Sequence, residues 1–162
     1  MTSEEQTAIV AAIDESEARL QSLAERLRSR PHTPLVEGDW TVRDTLCHIA
    51  ARANDVALVL GLAQQRTDTS PGAPMETDAI NARQIAERTG RSVDELLQEA
   101  VDGYAAAREA VATLSADALA QVIPDVAGQG PMTIGDVLLL VYRSHAQGHI
   151  ATLEAAFGTA PT

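Results

Sequence analysis

The sequence contains few cysteines and few aromatic residues for its length. Cys47 is the single cysteine, so no disulfide can form within the chain, and nothing indicates an oxidising compartment. Aromatic residues make up only 2% of the 162 residues, whereas hydrophobic residues make up 45%. A core must therefore consist mainly of leucine, valine, isoleucine and alanine, a composition that suits closely packed helices.

Basic residues are also scarce, and this limits the partners that we expect. The chain has 12 Lys and Arg residues against 23 Asp and Glu residues, which gives a formal net charge of −11. Proteins that bind nucleic acid usually carry a basic patch or stripe, and none is visible here. An anionic membrane surface is disfavoured for the same reason. We expect no nucleic acid and no membrane partner, but a small-molecule substrate, a metal cation or a second copy of the chain in a homodimer.

Long hydrophobic runs are missing as well. The longest run, VLLLVY, is far too short to span a bilayer. The N-terminal segment is acidic and lacks the basic start and the apolar stretch of a signal peptide. The length is typical of one domain. We therefore expect a single domain over residues 1–162 and a cytoplasmic protein.

Four long segments carry hydrophobic residues at spacings of three and four, which is the pattern of amphipathic helices. They span roughly residues 4–28, 41–65, 92–114 and 133–157, and a Ser or Thr followed three residues later by Asp or Glu begins each of the last three. A shorter helix is predicted at 78–88, after a Pro/Gly-rich loop at 66–77, and residues 115–132 form a loop with one helical turn. No segment has the pattern of a strand. The prediction is an all-α fold, a four-helix bundle with a short extra helix between the second and third long helices.

Two histidines stand four residues apart in the fourth long helix. His145 and His149 therefore project from the same face, about one turn apart, and continue its apolar stripe. Two histidines at this spacing are a common platform for a divalent metal. A third ligand from a facing helix would leave one open position, as in catalytic zinc sites. The alternative is that both imidazoles are hydrogen-bonded within a helical core.

His48, in the second long helix, is the candidate third ligand. It lies at the border of the apolar stripe, about one and a half turns after the helix begins. His145 and His149 lie about three and four turns after the start of their own helix. The residues alone therefore leave open whether the three histidines meet.

The segment DWTVRDTLCHIAAR resembles the second-helix motif of the DinB-like four-helix bundle proteins. This group includes the YfiT-type thiol transferases and the N-terminal domain of mycothiol-dependent maleylpyruvate isomerase. In the family a Trp precedes the helix, an Asp lies near its start and a His follows four residues after the Asp; Trp40, Asp44 and His48 match these positions. His145 and His149 match the His-x-x-x-His pair of the family's last helix. The resemblance implies that the three histidines hold one divalent metal, typically zinc or nickel.

The resemblance also implies a reaction type. A metal held by three imidazoles can activate a water molecule for hydrolysis, or it can bind a thiol as its thiolate. We expect a divalent-metal-dependent enzyme, a thiol transferase or a hydrolase, that acts on a small electrophilic metabolite, with a low-molecular-weight thiol as cosubstrate in the first case. One alternative is a non-catalytic bundle that binds or sequesters a small molecule. Another is a metal-free helical dimer with buried histidines.

Further side chains are candidates for the same pocket. Tyr104 lies on the inward stripe of the third long helix, and Asn81 and Gln84 lie on one side of the short helix. We predict that these three bind substrate, with core packing for Tyr104 and solvation for the other two as the alternatives. Arg52 and Asp55 share the helix edge of the second-helix histidine. Either Asp55 orients a ligand imidazole, or the two residues form an ordinary surface ion pair, which is the favoured interpretation.

Three remaining residues are interpreted as structural. Trp40 stands just before a helix cap, where a hydrophobic staple or core anchor is favoured over a place in the pocket wall. Cys47 points about 100° away from its neighbour His48 around the helix, and we interpret it as a small buried hydrophobic residue. His32 lies in the loop RPHTP and is expected to face solvent.

Overall fold

The structure is a computed structural model, and it describes residues 3–35, 39–65, 77–126 and 128–158. Except for Thr77, the predicted loop at 66–77 lies outside the described residues. The fold is all-α, as predicted. Its helices are α1 (Glu4–Ser22), α2 (Ala24–Ser29), α3 (Val42–Arg52), α4 (Val56–Gln65), α5 (Thr77–Ala86), α6 (Val93–Thr113), α7 (Ala116–Leu119), α8 (Ile134–Leu139), a π-helical segment (Leu140–Ala146) and α9 (Gln147–Phe157).

Four long helical segments form the bundle. The first is α1 with α2, the second is α3 with α4, the third is α6, and the fourth runs from α8 through the π-helical segment to α9. The first and second segments each pack against both the third and the fourth. The short helix α5 packs against α3 and is the predicted extra element between the second and third long segments. The four-helix bundle is therefore confirmed.

The predicted helix starts are confirmed by their hydrogen bonds. At each start, the Ser or Thr hydroxyl accepts a hydrogen bond from the backbone N–H three residues later, which is one of the donors that a helix leaves unpaired. At Thr41 and Ser92, the acidic side chain three residues later also accepts a hydrogen bond from the backbone N–H of the capping residue. The pairs are Thr41 with Asp44, Ser92 with Glu95 and Thr133 with Asp136.

The second long segment is not one continuous helix, in contrast to the prediction. It bends by 57° between α3 and α4. The hydroxyl of Tyr142 accepts a hydrogen bond from the Asp55 backbone N–H and donates one to the Ala53 carbonyl, both at 3.3 Å. A side chain from the fourth segment thus pairs backbone groups that the break exposes, which is a recognised cause of helix kinks. Among the described residues, no single helix is long and apolar enough to cross a membrane; α3 and α4 meet that description only when counted together across their bend.

The fourth long segment contains a π-helical stretch that the periodicity did not predict. Ile134 and Ile150 are both buried in the core, although they are 16 positions apart. In a regular α-helix, with about 100° of rotation per residue, they would differ by about 160° and lie on nearly opposite faces. A π-turn contains an extra residue, so each residue in it rotates less. The stretch Leu140–Ala146 therefore keeps both ends of the segment directed at the core.

The prediction that no strand is present was wrong. Val122–Ile123 (β1) pairs antiparallel with Met132–Thr133 (β2), with Val122 opposite Thr133. Two residues are too few to show the alternation that identifies a strand, which needs at least about four. The single helical turn expected in the same loop is α7.

The core is aliphatic, as the composition predicts, and α6 approaches α3 closely within it. Cys47 is buried there, and burial raises the pKa of its thiol, in agreement with its interpretation as a small hydrophobic residue. A β-carbon added to Gly103 would lie only 2.7 Å from the β-carbon of Ala53. The absence of a side chain at Gly103 therefore allows the two helices to approach. His32 is exposed, as expected.

Candidate metal centre

His48 reaches the centre of the bundle from α3. The capping box at Thr41 and Asp44 fixes where α3 begins, and this start fixes the face on which His48 lies. Its side chain is only 1% exposed. A buried imidazole needs a partner for each ring nitrogen, so the neighbours of His48 determine what it can do.

His145 and His149 reach the same place from the fourth segment. His145 lies in the π-helical stretch and His149 lies in α9, and both are partly buried. Their ring centroids are 4.6 Å apart, as expected for neighbours on one helix face. π-Turns within α-helices often occur at functional sites. Here the π-helical stretch carries one of the two histidines.

The three histidines converge, which the sequence left open. His48 Nε2 and His145 Nε2 are 3.1 Å apart, and one ring nitrogen from each of the three residues lies within 4.8 Å of the others. Two imidazole nitrogens bound to one tetrahedral metal at about 2.0–2.1 Å are about 3.3–3.4 Å apart. The donor set therefore fits a divalent metal ion. The group contains three residues among those described, with no fourth His, Cys, Asp or Glu in it.

The electrostatic surroundings keep the imidazoles neutral at pH 7. Burial, followed by the neighbouring His149 and His145, lowers the pKa of His48 to about 3. Burial and His149 lower the pKa of His145 to about 4, and burial and Arg52 lower the pKa of His149. A neutral imidazole retains the lone pair that a metal ion binds, so no proton has to be displaced.

Gln84 orients His48. Its side-chain oxygen Oε1 lies 2.9 Å from His48 Nδ1. An amide oxygen only accepts hydrogen bonds, so the proton of the neutral ring is on Nδ1 and the lone pair of Nε2 faces the other histidines. This is the arrangement in which an outer partner sets the tautomer of a metal-binding histidine. The sequence analysis placed Gln84 near the pocket but did not predict this contact. The contact could have been predicted because a buried histidine needs a hydrogen-bond partner and the short helix α5 carries an amide side chain.

Trp40 packs against the histidines. Its ring centroid lies 5.2 Å from that of His48 and 6.0 Å from that of His149, and the latter pair is stacked with an interplanar angle of 22°. Trp40 does not line the histidine pocket, and its interpretation as a staple or core anchor stays a prediction. The backbone positions the ring, because Leu35 donates to the Trp40 carbonyl just before α3 begins. The indole covers one side of the three-histidine cluster and contacts two of its rings.

Arg52 and Asp55 form an ion pair whose carboxylate is buried, so the favoured interpretation as an ordinary surface pair was wrong. Arg52 donates from Nε and Nη2 to Asp55 Oδ2 at 2.7 Å, and Asp55 is only 2% exposed. Burial raises the pKa of Asp55 to about 6, although Arg52 acts in the opposite direction. The carboxylate binds the arginine and not an imidazole, and thus holds a guanidinium group beside the histidines. The α3–α4 bend, which the sequence did not predict, brings Asp55 into the interior.

One pocket contains the three histidines and Tyr104. It is lined by His48, Ile49, Arg52, Tyr104, Val141, His145, Ala146 and His149. Tyr104 is 1% exposed, in agreement with its place on the inward stripe of α6. Asn81 is partly buried on α5 and is not among the residues that line this pocket. Substrate binding by Tyr104, Asn81 and Gln84 stays a prediction.

The fold and the site together define a class of protein: a four-helix bundle whose second and fourth long segments present a three-histidine group that could hold a metal ion. The chain matches the family model of the DinB superfamily over residues 8–153, which is most of its length. It therefore belongs to the DinB superfamily, and the resemblance based on the two histidine motifs is confirmed. No curated protein and no solved structure matches the chain.

Proposed function

We propose that the protein is a divalent-metal-dependent enzyme, a thiol transferase or a hydrolase, that acts on a small electrophilic metabolite. One observation carries this proposal: three imidazole nitrogens converge, without a fourth protein ligand among the described residues. Structural zinc sites are usually closed by four protein ligands, whereas catalytic sites combine three with an open position. Imidazole ligands favour zinc or nickel, among other transition metals.

The metal would supply a Lewis acid that activates a bound water molecule or stabilises a bound thiolate. His48, His145 and His149 would hold it through neutral ring nitrogens. Gln84 fixes the direction of the His48 lone pair, and Trp40 covers the cluster. These groups set the geometry before any substrate arrives, which is the main contribution of a protein to such a site.

The first experiment measures the metal content of protein purified without a histidine tag. We expect about one zinc or nickel ion per chain, which the His145→Ala variant loses because a ligand is missing. The matched control is His32→Ala, which removes an exposed histidine and should retain the metal. If the wild-type protein binds neither metal after incubation with both, the proposal is wrong. If His48→Ala retains stoichiometric metal, the assignment of His48 as a ligand is wrong.

The second experiment separates the reactions. Metal-loaded protein is incubated with small electrophiles, with and without low-molecular-weight thiols, and both thiol consumption and hydrolysis are measured. Turnover that requires the thiol supports a transferase, and hydrolysis without the thiol supports a hydrolase. A metal-loaded protein that binds such compounds without converting them would support the non-catalytic alternative, a bundle that sequesters a small molecule.

A further inference from the structure

Tyr104 buries a hydroxyl group that has no hydrogen-bond partner among the described residues. The residue lies near the middle of α6, and only 1% of it is exposed. Buried polar groups in native proteins nearly always have a partner, because an unpaired buried donor loses its hydrogen bonds to water without replacement. The unpaired hydroxyl of Tyr104 therefore requires an explanation.

Burial in the core does not by itself account for this. Tyr142, the other tyrosine, is equally buried, and its hydroxyl both accepts from the Asp55 backbone N–H and donates to the Ala53 carbonyl. The difference between the two lies in their surroundings. Tyr104 lines the pocket that contains the three histidines, and Tyr142 does not. Of the two buried tyrosines, the one whose hydroxyl lacks a partner is thus the one that lines the histidine pocket.

The chemistry of the pocket wall indicates what that partner is. Apart from the histidines, the wall consists of Arg52, Tyr104 and the apolar residues Ile49, Val141 and Ala146. The guanidinium and the phenol are donors, and burial raises the pKa of Tyr104, so its proton stays in place. The charge of Arg52 is paired with the Asp55 carboxylate, so what the wall offers a ligand beside the histidines is the hydrogen-bond donor of Tyr104. Such surroundings favour a ligand that accepts a hydrogen bond.

We propose that Tyr104 is a positioning residue that donates a hydrogen bond to the ligand at the open position of the three-histidine site. The site thereby favours ligands that carry a hydrogen-bond acceptor over ligands that lack one. This inference rests on the proposed function, because the open position belongs to the metal. It adds to that function a residue from a third helical segment, α6, and a requirement for a hydrogen-bond acceptor on the ligand.

The test uses cobalt(II), whose visible absorption changes when an exogenous ligand binds. Wild-type protein and the variants Tyr104→Phe and Tyr142→Phe are loaded with cobalt and titrated with azide as a small anion. Cobalt content and the melting temperature are measured on the same samples. The two variants form a matched pair, since each removes one hydroxyl from a buried tyrosine.

Tyr104→Phe should retain cobalt and bind azide about tenfold more weakly, because a hydrogen bond to an anion is lost. Its melting temperature should stay the same or rise, because the hydroxyl has no partner within the protein. Tyr142→Phe should show the opposite pattern, with a lower melting temperature and unchanged azide affinity.

Two results would overturn the inference alone. One is equal azide affinity in cobalt-loaded wild-type and Tyr104→Phe protein. The other is a Tyr104→Phe variant that fails to fold, since the hydroxyl would then have a structural partner. Failure of the wild-type protein to bind zinc, nickel or cobalt would instead overturn the proposed function, and the inference with it.

Discussion

At the scale of single residues, the candidate site depends on side chains that hold the histidines in place. His48 shows this most clearly, because its two ring nitrogens have different partners: Gln84 on one side and His145 on the other. The hydrogen bond to Gln84 puts the proton on the outer nitrogen. The inner nitrogen is thereby ready to bind a metal ion before one arrives, which reduces the reorganisation that binding requires.

Replacement of Gln84 by methionine should weaken metal binding by about tenfold, because outer partners of metal ligands typically contribute at least this much. Methionine has a similar length but cannot accept the Nδ1 proton well, so the ring is free to change its tautomer. The measurement is a competition titration with a chelator. Gln98→Met is the control, since Gln98 is exposed on α6 and donates to Asp102 on the same helix. An equal loss of affinity in both variants would contradict the orienting role of Gln84.

The histidines also predict how the stability of the metal-free protein changes with pH. The folded-state pKa values of His48 and His145 are about 3 and about 4, below the ordinary value of 6.5. The unfolded chain therefore binds more protons below pH 6.5, and stability falls as the pH decreases from there towards 4. Asp55 acts in the opposite direction. Its folded-state pKa of about 6 is higher than that of an ordinary Asp, so the folded protein takes up this proton before the unfolded chain does. Stability therefore gains from Asp55 as the pH falls from about 6 to about 4. Two histidines outweigh one carboxyl group, so the net change is a loss.

Urea unfolding at pH 7 and pH 5 measures this effect. For the buried His48 alone, the expected loss is about 1–2 kcal/mol between these two pH values, from the proton-linkage relation. The His48→Leu variant should show a smaller loss than the wild-type protein. The His32→Ala control should match the wild-type protein, because its imidazole is exposed. If the free energy of unfolding were higher at pH 5 than at pH 7, the carboxyl group of Asp55 would dominate.

At the scale of helices, the approach of α6 to α3 decides how closely the site is enclosed. Tyr104 and Gly103 are neighbours on α6, so the contact that Gly103 makes with Ala53 also sets how near Tyr104 lies to His48. The bend between α3 and α4 has a comparable effect, because it turns Asp55 inwards to hold Arg52. Both features act on the pocket through the backbone.

Gly103→Ala should destabilise the protein by about 1 kcal/mol, although alanine is the better helix former. The gain in helix propensity is about 1 kcal/mol, whereas an overpacked contact costs about 1–3 kcal/mol. The new β-carbon would lie 2.7 Å from that of Ala53, so the helices must separate. Gly61→Ala is the matched control: nothing lies within 4 Å of its added β-carbon, so it should gain about 0.5–1 kcal/mol. Denaturant unfolding measures both, and a stabilised Gly103→Ala variant would contradict the close packing.

At the scale of the whole molecule, the site joins distant parts of the chain. His48 comes from α3, and the histidine pair comes from the last helical segment, almost 100 positions later. The unfolded chain does not hold these three ligands together. A metal ion that binds them therefore binds the folded state preferentially and stabilises it by mass action.

Zinc at about 100 times its dissociation constant should raise the free energy of unfolding by about 2.7 kcal/mol. The measurement is thermal or chemical unfolding with and without zinc. His145→Ala should lose this stabilisation, and His32→Ala should retain it. A similar effect in all three proteins would mean that zinc binds elsewhere. The homodimer stays a prediction, which light scattering during gel filtration would test.

The sequence by itself determined the four long helical segments, three of their starts and two of the three clustered histidines. The capping pairs at Thr41 and Thr133 depend on neighbours three residues apart, and the shared face of His145 and His149 depends on a spacing of four. Such local features follow from helix geometry alone, because residues three or four apart lie on one face. The family resemblance extended this local information to His48, and the match over residues 8–153 confirms the family.

Only the tertiary structure decided how these parts meet. The backbone groups at the break after α3 are paired by Tyr142, which is about 90 positions away, and the contact between Gln84 and His48 depends on where α5 packs. The π-helical stretch keeps both halves of the last segment against the core. The physical reason is that periodicity shows which face of a helix is buried, but not which other helix packs against that face. The convergence of the three histidines is decided by packing between helices.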